Sequence, residues 1–397
     1  MPSNQLIQEK KQLVLDRINT YHLKRMAGSK GNIFLISNTY PGVWLEHVYD
    51  AVSWVNYDKS DPSVSINQIN LFLDRQKPDG QLPCYIIDPD KKTGFKNLVG
   101  YSQTQECVSF ARLCLEACLQ NNDMNLLKQC YEKCKNWDNW LTKYRMTMKT
   151  GLIEMFCGFD TGHDNSGRFE NIKYKGNFSD DAKDYPINDE YLPFITPDMN
   201  AVFYGSKTAL AVMAGKLGLQ EEAHMWKQAA HEIKKKIIEI CYDEEDDFFY
   251  DVDRFGNKIK CKSISITNLF CESVLDMDMA DRIFKKYLDN PNEFKTPYPY
   301  PAVSVSDPLW IQNLPGNSWG FYSQGLVSLR TLRWMDKYGF SAQLEDNMRR
   351  WISAWCLTGK LNFGQELHPI SGESSTCGNW YSSTMLYFLH AIKRLGF

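Results

Sequence analysis

Two acidic side chains in loop-like segments of the sequence could act as a catalytic pair. Asp164 lies in Thr161-Gly-His-Asp-Asn-Ser-Gly-Arg-Phe169, and Glu366 lies in Phe363-Gly-Gln-Glu-Leu-His-Pro-Ile-Ser-Gly-Glu373. Each segment alone is more simply explained by a turn or a charged surface loop. Together they suit glycosidic cleavage, in which one carboxylic acid protonates the leaving oxygen and a second carboxylate activates water or attacks the sugar. We therefore predict Asp164 as the acid and Glu366 as the base.

Two other classes of function stay open on the sequence. A sugar epimerase or isomerase would need paired histidines for proton transfer, and His47, His163 and His368 lie near the loops that could hold a site. A non-catalytic carbohydrate-binding protein is the third alternative. It would bind a glycoside without turnover, and Asp164→Asn would leave its affinity unchanged.

Metal and cofactor motifs are weak in this sequence. Cys114/Cys118 and Cys130/Cys134 have the spacing of two residues on one helix face, but no histidine follows at zinc-finger spacing. The acidic run 243–253 lacks the glycine and glutamate that a calcium loop needs, which predicts a solvated acidic turn. Phosphate-binding and dinucleotide-binding glycine motifs are absent from the sequence. We predict no metal and no cofactor.

Helices must position these loops, because apolar residues recur at helical spacing along most of the chain. Twelve segments show this pattern: 6–27, 45–57, 64–76, 103–121, 124–143, 198–217, 220–242, 264–275, 278–289, 318–337, 341–358 and 381–395. Short links with helix stop and start residues join several of them, for example at Asn121-Asn122-Asp123 and Gly215–Gly218. The pattern predicts an all-α (α/α)6 barrel made of six helical hairpins, with residues 1–397 as a single domain.

Long connections alternate with the short links. They cover 28–43, 77–102, 157–197, 290–317 and 359–380, and they are rich in glycine, proline and aromatic residues. Loops of this length are uncommon unless they serve a function, and their aromatic content argues against disorder. In a ring of hairpins they would all lie on one face, which predicts the site there.

Composition excludes several classes of partner. The formal net charge of −3 gives no basis for binding nucleic acid or an anionic membrane. Apolar runs reach neither the length of a membrane span nor the pattern of a signal peptide. Many of the twelve cysteines lie inside helical patterns, which is typical of free thiols in a reducing compartment. We predict a cytoplasmic protein whose partner is a small sugar substrate.

The two carboxylate segments resemble those of glycoside hydrolase families 37 and 63, which include trehalases, processing α-glucosidases and bacterial mannosylglycerate and glucosylglycerate hydrolases. Thr161–Phe169 is similar to the families' Ser-Gly-x-Asp-x-Ser-x-Arg-Trp/Phe segment, and Gln365–Gly372 to their Glu-x-Tyr/His-x-Pro/Val-x-x-Gly segment. The resemblance implies that Asp164 is the general acid and Glu366 the general base. It also implies an inverting, exo-acting α-glycosidase on a small soluble glycoside.

Further segments resemble the same families in the same order over about residues 40–395. These are Val48-Tyr-Asp-Ala51, Gln76–Pro83, Ser102-Gln-Thr104, Pro197-Asp-Met-Asn-Ala201, Asn317-Ser-Trp-Gly320 and Gly378-Asn-Trp380. From the resemblance and the site loops we predict twelve substrate-binding residues: Trp44, Glu46, Tyr49, Asp50, Gln103, His163, Arg168, Asp198, Asn200, Trp319, Glu373 and Trp380. The sequence departs from the family pattern at Tyr49, at Thr104-Gln105 and at His163, which leaves the sugar open.

Overall fold

A computed structural model describes residues 1–37, 39–91, 93–169, 172, 176–185, 189–310, 319–357 and 363–397. Twelve α-helices lie in these residues: α1 Asn4–Arg17, α2 Val48–Tyr57, α3 Ser63–Leu73, α4 Phe110–Asn121, α5 Met124–Tyr144, α6 Pro197–Lys216, α7 Gln220–Cys241, α8 Thr267–Cys271, α9 Met277–Ile283, α10 Gly325–Arg330, α11 Ser341–Leu357 and α12 Ser382–Leu395. The protein is therefore mostly helical, as the sequence predicts. No helix in this described part is long and apolar enough to span a membrane.

Local residue chemistry sets several helix ends. The hydroxyl of Ser109 accepts a hydrogen bond from the backbone amide of Arg112 at the start of α4, at 3.3 Å. Asn122 ends α4 in the left-handed conformation, and the carboxylate of Asp123 caps α5 by accepting from the amide of Leu126 at 2.8 Å. Gly218 makes the equivalent turn between α6 and α7 with φ +80°. Both short links lie where the sequence predicts them.

The even-numbered helices form an inner series. α2 packs against α4, α4 against α6, α6 against α8, α10 against α12, and α12 returns to α2. Helix α6 has 15 of its 20 residues buried, whereas α7, which packs against its outside, has 6 of 22. A helix buried on all sides lies inside, and one with a single apolar stripe covers it. The buried apolar residues form one continuous cluster.

Short antiparallel strands connect the loops at the helix ends. They are β1 Leu23–Arg25, β2 Asn32–Phe34, β3 Gly42–Trp44, β4 Tyr85–Ile87, β5 Val99–Gly100, β6 Glu154–Met155, β7 Phe194–Ile195, β8 Tyr242–Asp243, β9 Phe248–Phe249, β10 Asp251–Val252, β11 Lys258–Ile259, β12 Ser323–Gln324 and β13 Glu366–Leu367. Strand order is β1-β2, β3-β4-β5, β11-β10-β7-β6, β8-β9 and β12-β13. These small sheets hold the long loops against the helical core.

Several predicted helices are shorter in the structure: 103–121 begins at Phe110 in α4, 264–275 is reduced to Thr267–Cys271 in α8, and 278–289 is α-helical only to Ile283 in α9. Two further differences have a local cause. The first predicted helix ends at Arg17 rather than at residue 27, because the chain turns through Ile18–His22 into β1, which pairs with β2. The predicted helix 318–337 is shorter, with α10 covering Gly325–Arg330 only, because Ser323–Gln324 pair with β13.

Candidate active site

A cavity of about 740 Å³ opens at the amino-terminal ends of the inner helices. Glu46 and His47 line it just before α2, and Tyr381 lines it just before α12. The rest of the wall comes from the loops before α2, α4, α6, α10 and α12 and from the start of α10. Residues that line it include Tyr40, Trp44, Tyr85, Phe95, Lys96, Gln103, Gln105, Phe159, Asp164, Phe178, Asp180, Trp319, Leu326 and Gln365. The long loops therefore meet on one face of the helical core.

Asp164 lies on the cavity wall with its side chain partly exposed. The turn before it is built on Asp160, which is fully buried and accepts hydrogen bonds from the amides of Phe156 and Thr104 at 2.9 and 2.8 Å. The guanidinium of Arg145 lies 3.4 Å from the same carboxylate. The backbone carbonyl of Asp164 accepts from the amide of Trp319 at 3.1 Å. Buried hydrogen bonds and charge therefore hold this acidic side chain at the cavity.

Gly162 is the point where this turn needs glycine. Its φ is +72°, and a Cβ there would lie 3.0 Å from the Sγ of Cys107 and 3.6 Å from Oε2 of Glu46. Left-handed backbone is costly for residues with a side chain. Glycine therefore lets the Asp164 loop lie directly against Cys107 and Glu46.

Glu366 lies on β13 and is fully buried. It stands opposite Gln324 on β12, whose Nε2 donates a hydrogen bond of 2.6 Å to Oε2 of Glu366. The adjacent Gln365 lines the cavity and accepts from the hydroxyl of Tyr40 at 2.8 Å. Glu366 thus lies immediately behind the cavity wall, one residue from its surface.

Tyr40 connects the two acidic segments electrostatically. Burial is the main cause that raises the pKa of its hydroxyl well above the ordinary value. Four acidic groups raise this pKa further: Cys377, Asp164, Glu46 and Glu366. A single buried tyrosine therefore lies within the field of both predicted catalytic carboxylates and of Glu46.

Glu46 adds a third carboxylate to the cavity. Its Oε2 lies 3.1 Å from a guanidinium nitrogen of Arg330 and 3.5 Å from the Sγ of Cys107. His47, the next residue, has its Nε2 at 2.7 Å from the hydroxyl of Tyr381. Because Arg330 compensates its charge, Glu46 is suited to accept hydrogen bonds from sugar hydroxyl groups.

Arg168 and His163 form a buried support behind Asp164. The guanidinium of Arg168 donates to Asp198 at 2.9 Å and to Asp251 at 2.7 and 2.8 Å. It also lies 2.9 Å from Nδ1 of His163. Burial, together with the charge of Arg168, lowers the pKa of His163 to about 3. The ring of His163 is therefore neutral at pH 7, and it stacks on Trp319 with centroids 3.9 Å apart.

Asp251 corrects the prediction of a solvated acidic turn at 243–253. It lies on β10, is 4% exposed and pairs with Arg168. The strand itself lies in residues 247–260, where the sequence also suggests a short hairpin, and β10 pairs with β11 there. The acidic composition did not indicate that one of these carboxylates is buried in an ion pair.

Two predicted pocket residues on α2 lie away from the cavity. The carboxylate of Asp50 accepts hydrogen bonds from the hydroxyls of Ser382 and Ser383 on α12, the latter at 2.9 Å. The ring of Tyr49 lies under the guanidinium of Arg333, 4.7 Å from its centroid. Both side chains sit below the start of α2, where the helix packs on its neighbours rather than facing the loops.

Four more predicted residues also lie outside the cavity wall. Asn200 accepts from the amide of Ile153 at 2.8 Å and donates to its carbonyl at 2.9 Å, which ties α6 to the loop before β6. Asp198 holds Arg168. Glu373 is exposed, and Trp380 is buried with its ring 5.8 Å from that of Phe363. These residues support the loops that form the cavity, and none of them lines it.

Tyr40, Tyr85 and Phe95 are cavity residues that sequence reasoning missed, although it predicted Trp44 and Trp319 beside them. The rings of Tyr40 and Trp44 lie 5.3 Å apart, those of Trp44 and Tyr85 5.6 Å, and those of Tyr85 and Phe95 5.0 Å. The signal was the aromatic content of loops 28–43 and 77–102. Because aromatic side chains are more often core than ligand contacts, the sequence alone did not separate the two roles.

Comparison with known proteins gives a family and a fold. Residues 51–385 match the family described as mannosylglycerate hydrolase MGH1-like glycoside hydrolase domain. The glycoside hydrolase family 63 mannosylglycerate hydrolase of Thermus thermophilus, in complex with Tris and D-glycerate, superposes with a TM-score of 0.75 at 16% identity. The alignment covers 96% of this chain and 99% of that one. The same enzyme in complex with glucose gives a TM-score of 0.73 at 17% identity over the same shares.

Two further relatives are more distant or shorter. The neutral trehalase of Saccharomyces cerevisiae superposes with a TM-score of 0.67 at 12% identity, covering 99% of this chain and 80% of the trehalase. An uncharacterised protein of Borreliella burgdorferi is 29% identical over 158 residues, or 38% of this chain. The match spans 31% of the length of that curated relative.

Proposed function

The chain belongs to the mannosylglycerate hydrolase MGH1-like glycoside hydrolase family, and from this premise we propose that it is an inverting, exo-acting α-glycosidase. The observation that carries the proposal is the cavity, which combines Asp164, Glu46 and aromatic walls. Its volume of about 740 Å³ suits a small glycoside. Substrates of the kind named for the relatives, mannosylglycerate or trehalose, are the first to test. We also propose that residues 1–397 form one (α/α)6-barrel catalytic domain and that the protein is cytoplasmic.

The proposed reaction divides the chemistry between two carboxyl groups. Asp164 donates its proton to the glycosidic oxygen as the bond from that oxygen to the anomeric carbon breaks. Glu366 takes a proton from a water molecule, whose oxygen attacks the anomeric carbon from the opposite face. The product sugar then carries the inverted configuration, and the two carboxyl groups have exchanged their protonation states. Inversion requires the carboxyl groups to stand roughly 6.5–9.5 Å apart, with room for the water.

The surroundings of each carboxyl group support these roles. Asp164 is partly exposed on the cavity wall, where a leaving group can reach it. Glu366 receives the side-chain amide of Gln324, a hydrogen bond to the charged form that suits a base. Aromatic rings on the cavity wall offer flat faces for the sugar.

An epimerase or isomerase fits this geometry less well. Such a reaction needs two histidines positioned to move protons on the sugar. Among the described residues that line the cavity His47 is the one histidine, and its ring is engaged by Tyr381. His163 lies behind the wall and contacts Arg168.

Turnover assays with two conservative variants test the proposal. The wild type is screened on α-mannosides, α-glucosides, trehalose, mannosylglycerate and glucosylglycerate. Asp164→Asn and Glu366→Gln should each lower kcat by about 10²–10⁴-fold while the melting temperature stays close to that of the wild type. Asp281→Asn on α9 is the matched control, because this carboxylate is exposed and outside the cavity. Near-normal kcat in either catalytic variant would refute the assignment.

The stereochemistry is tested separately by following product anomers with NMR. An inverting enzyme releases the β-anomer first from an α-glycoside. Initial release of the α-anomer would indicate retention of configuration, in which Glu366 acts as a nucleophile and not as a general base. Binding of a glycoside without turnover, with the affinity unchanged in Asp164→Asn, would instead indicate a non-catalytic carbohydrate-binding protein.

A further inference from the structure

A second cavity of about 600 Å³ lies at the opposite end of the inner helices. Ser53 and Asn56 line it from the second half of α2, and His390, Lys393 and Arg394 line it from the end of α12. The candidate active site touches the beginnings of the same two helices. The second cavity also extends back along these helices, because Tyr49 near the start of α2 and Arg112 in the first turn of α4 line it.

Basic side chains dominate this second cavity, which we name the basic cavity. Five basic residues line it: Arg112, Arg333, Lys337, Lys393 and Arg394. Glu116 and Asp336 also line it, and Glu272 lies behind Arg112. Glu345 also lies 3.5 Å from Arg394, so five cations face four carboxylates and leave one positive charge, in a chain whose formal net charge is −3. The basic cavity is thus a positive region on an acidic protein.

The three arginines are held by carboxylates. Arg333 donates to both oxygens of Glu116 at 2.7 and 2.6 Å, and Arg394 donates to both oxygens of Asp336 at 2.6 and 2.8 Å. Arg112 lies 2.8 Å from Glu272. These pairs fix the wall of the cavity and account for the charge of the arginines.

The remaining charge lies on two lysines. Lys337 donates to the hydroxyl of Ser273, and Lys393 donates to the carbonyl of Tyr57 at 3.1 Å. Within the described ranges, neither lysine is paired with a carboxylate. The Asp336–Arg394 pair joins the residues that precede Lys337 and follow Lys393, so it brings the two lysine-bearing segments together. Their ammonium groups carry the uncompensated charge of this described part of the basic cavity.

Favourable interaction with helix dipoles explains the positions of only some of these basic side chains. Lys393 and Arg394 lie in the last turn of α12, where cations are favourable. Arg112, however, lies in the first turn of α4, where a cation is unfavourable, and Lys337 lies after α10. Partial burial lowers the pKa of Lys337, the positive charges of Arg112 and Lys234 lower it further, and the negative charge of Glu272 raises it in part.

We propose that the basic cavity binds a small metabolite that carries a phosphate group, with the phosphate between Lys337 and Lys393. Neither lysine has a carboxylate partner within the described ranges, so both ammonium groups can pair with the charge of a phosphate monoester. Hydroxyl groups of Ser53 and Ser273 add polar contacts, and Val52 and Leu332 offer apolar surface to the rest of the ligand. A volume of about 600 Å³ exceeds what a phosphate ion alone would fill and falls in the range of small-molecule sites.

Calorimetric titration of the full chain tests the proposal without reference to catalysis. The probes are inorganic phosphate, glycerol 3-phosphate and glucose 6-phosphate. We expect saturable binding of at least one ester, tighter than that of inorganic phosphate. Lys337→Gln combined with Lys393→Gln should raise its dissociation constant by about tenfold for each lysine, or about 100-fold in all.

A matched double variant controls for the change in net charge. Lys227→Gln combined with Lys235→Gln removes two exposed lysines from α7, outside the basic cavity, and should leave the dissociation constant unchanged. Circular dichroism checks folding, which we expect to persist because Lys337 and Lys393 are exposed. Three results would overturn the proposal: no saturable binding of any probe, equal affinity in the Lys337/Lys393 variant, or inorganic phosphate that binds as tightly as both esters.

Discussion

Asp164 and Glu366 lie on segments that the rest of the molecule holds in different ways. The Asp164 segment contains only short 3-10 turns, and distant ion pairs fix it: Asp160 with Arg145, and Arg168 with Asp198 and Asp251. The Glu366 segment is fixed locally, by strand pairing with β12 and by the side-chain amide of Gln324. The comparison indicates that buried charge positions the proposed acid, whereas backbone hydrogen bonds position the proposed base.

Breaking the ion pairs behind Asp164 should have the largest effect. Arg168→Met leaves Asp198 and Asp251 buried without their cation. Removing one partner from a buried charge network costs about 3–5 kcal/mol of unfolding free energy. Urea denaturation measures the loss. Arg349→Met on α11 is the control, because its ion pair is exposed and should contribute at most about 1 kcal/mol. Equal stability of the two variants would show that the Arg168 network does not hold the fold.

Breaking the contact at Glu366 should affect activity more than stability. Gln324→Leu removes the hydrogen bond of 2.6 Å to Oε2 of Glu366 but keeps a side chain of similar size. Hydrogen bonds to charged groups contribute about 1.5–3 kcal/mol, so kcat should fall by about tenfold or more. Steady-state kinetics on the substrate identified by the screen measures the loss. Gln120→Leu, which removes an amide outside both cavities, should leave kcat unchanged. An unaltered kcat in Gln324→Leu would mean that strand pairing alone positions Glu366.

The sequence predicted the order of the helices and loops along the chain. It did not predict which residues at the start of a helix face the cavity and which lie below it. The helical periodicity predicted most of the helices, and the motifs and site loops indicated Asp164, Trp44, Gln103 and Trp319, which line the cavity. The early acidic segment shows the limit. Glu46, Tyr49 and Asp50 were all predicted to bind substrate, but of these three Glu46 alone lines the cavity, because Asp50 lies a turn further along α2 and faces the serines of α12.

The sequence also did not distinguish the buried residues that support the loops from residues that would contact the substrate. Asp198 and Asn200 lie in a segment that resembles a family motif, and both side chains are buried, but they hold loops and line neither the candidate active site nor the basic cavity. A motif gives residue types in order. Whether a side chain faces a ligand or a neighbouring loop depends on the packing of elements far apart in sequence, as Arg168 and Asp251 illustrate.

Each segment carries a histidine near its carboxylate, and the two histidines should differ in how they make the unfolding free energy depend on pH. His163 is fully buried and its pKa is lowered from 6.5 to about 3, so the unfolded chain binds its proton more readily than the folded chain. Stability from this group is complete above pH 6.5 and is lost as pH falls toward 3. His163→Gln should reduce the slope of unfolding free energy against pH by up to about 1.4 kcal/mol per unit in that window. His368→Gln should change it less, because His368 is half-buried. Identical slopes for wild type and His163→Gln would contradict the buried, neutral ring.

Gly162→Ala has the smallest expected effect on stability, and it tests how closely the turn before Asp164 is packed. Gly162→Ala places a methyl group at φ +72° and 3.0 Å from the Sγ of Cys107. Gly218→Ala has the same backbone strain at φ +80° but nothing within 4 Å of the new methyl group. Left-handed backbone alone should cost each variant about 1 kcal/mol of unfolding free energy. Only Gly162→Ala should also lower kcat, because relief of the contact with Cys107 moves Asp164. If both variants lose the same stability and retain full kcat, the turn tolerates displacement, and the ion pairs of Arg168 and Asp160 are sufficient to position the acid.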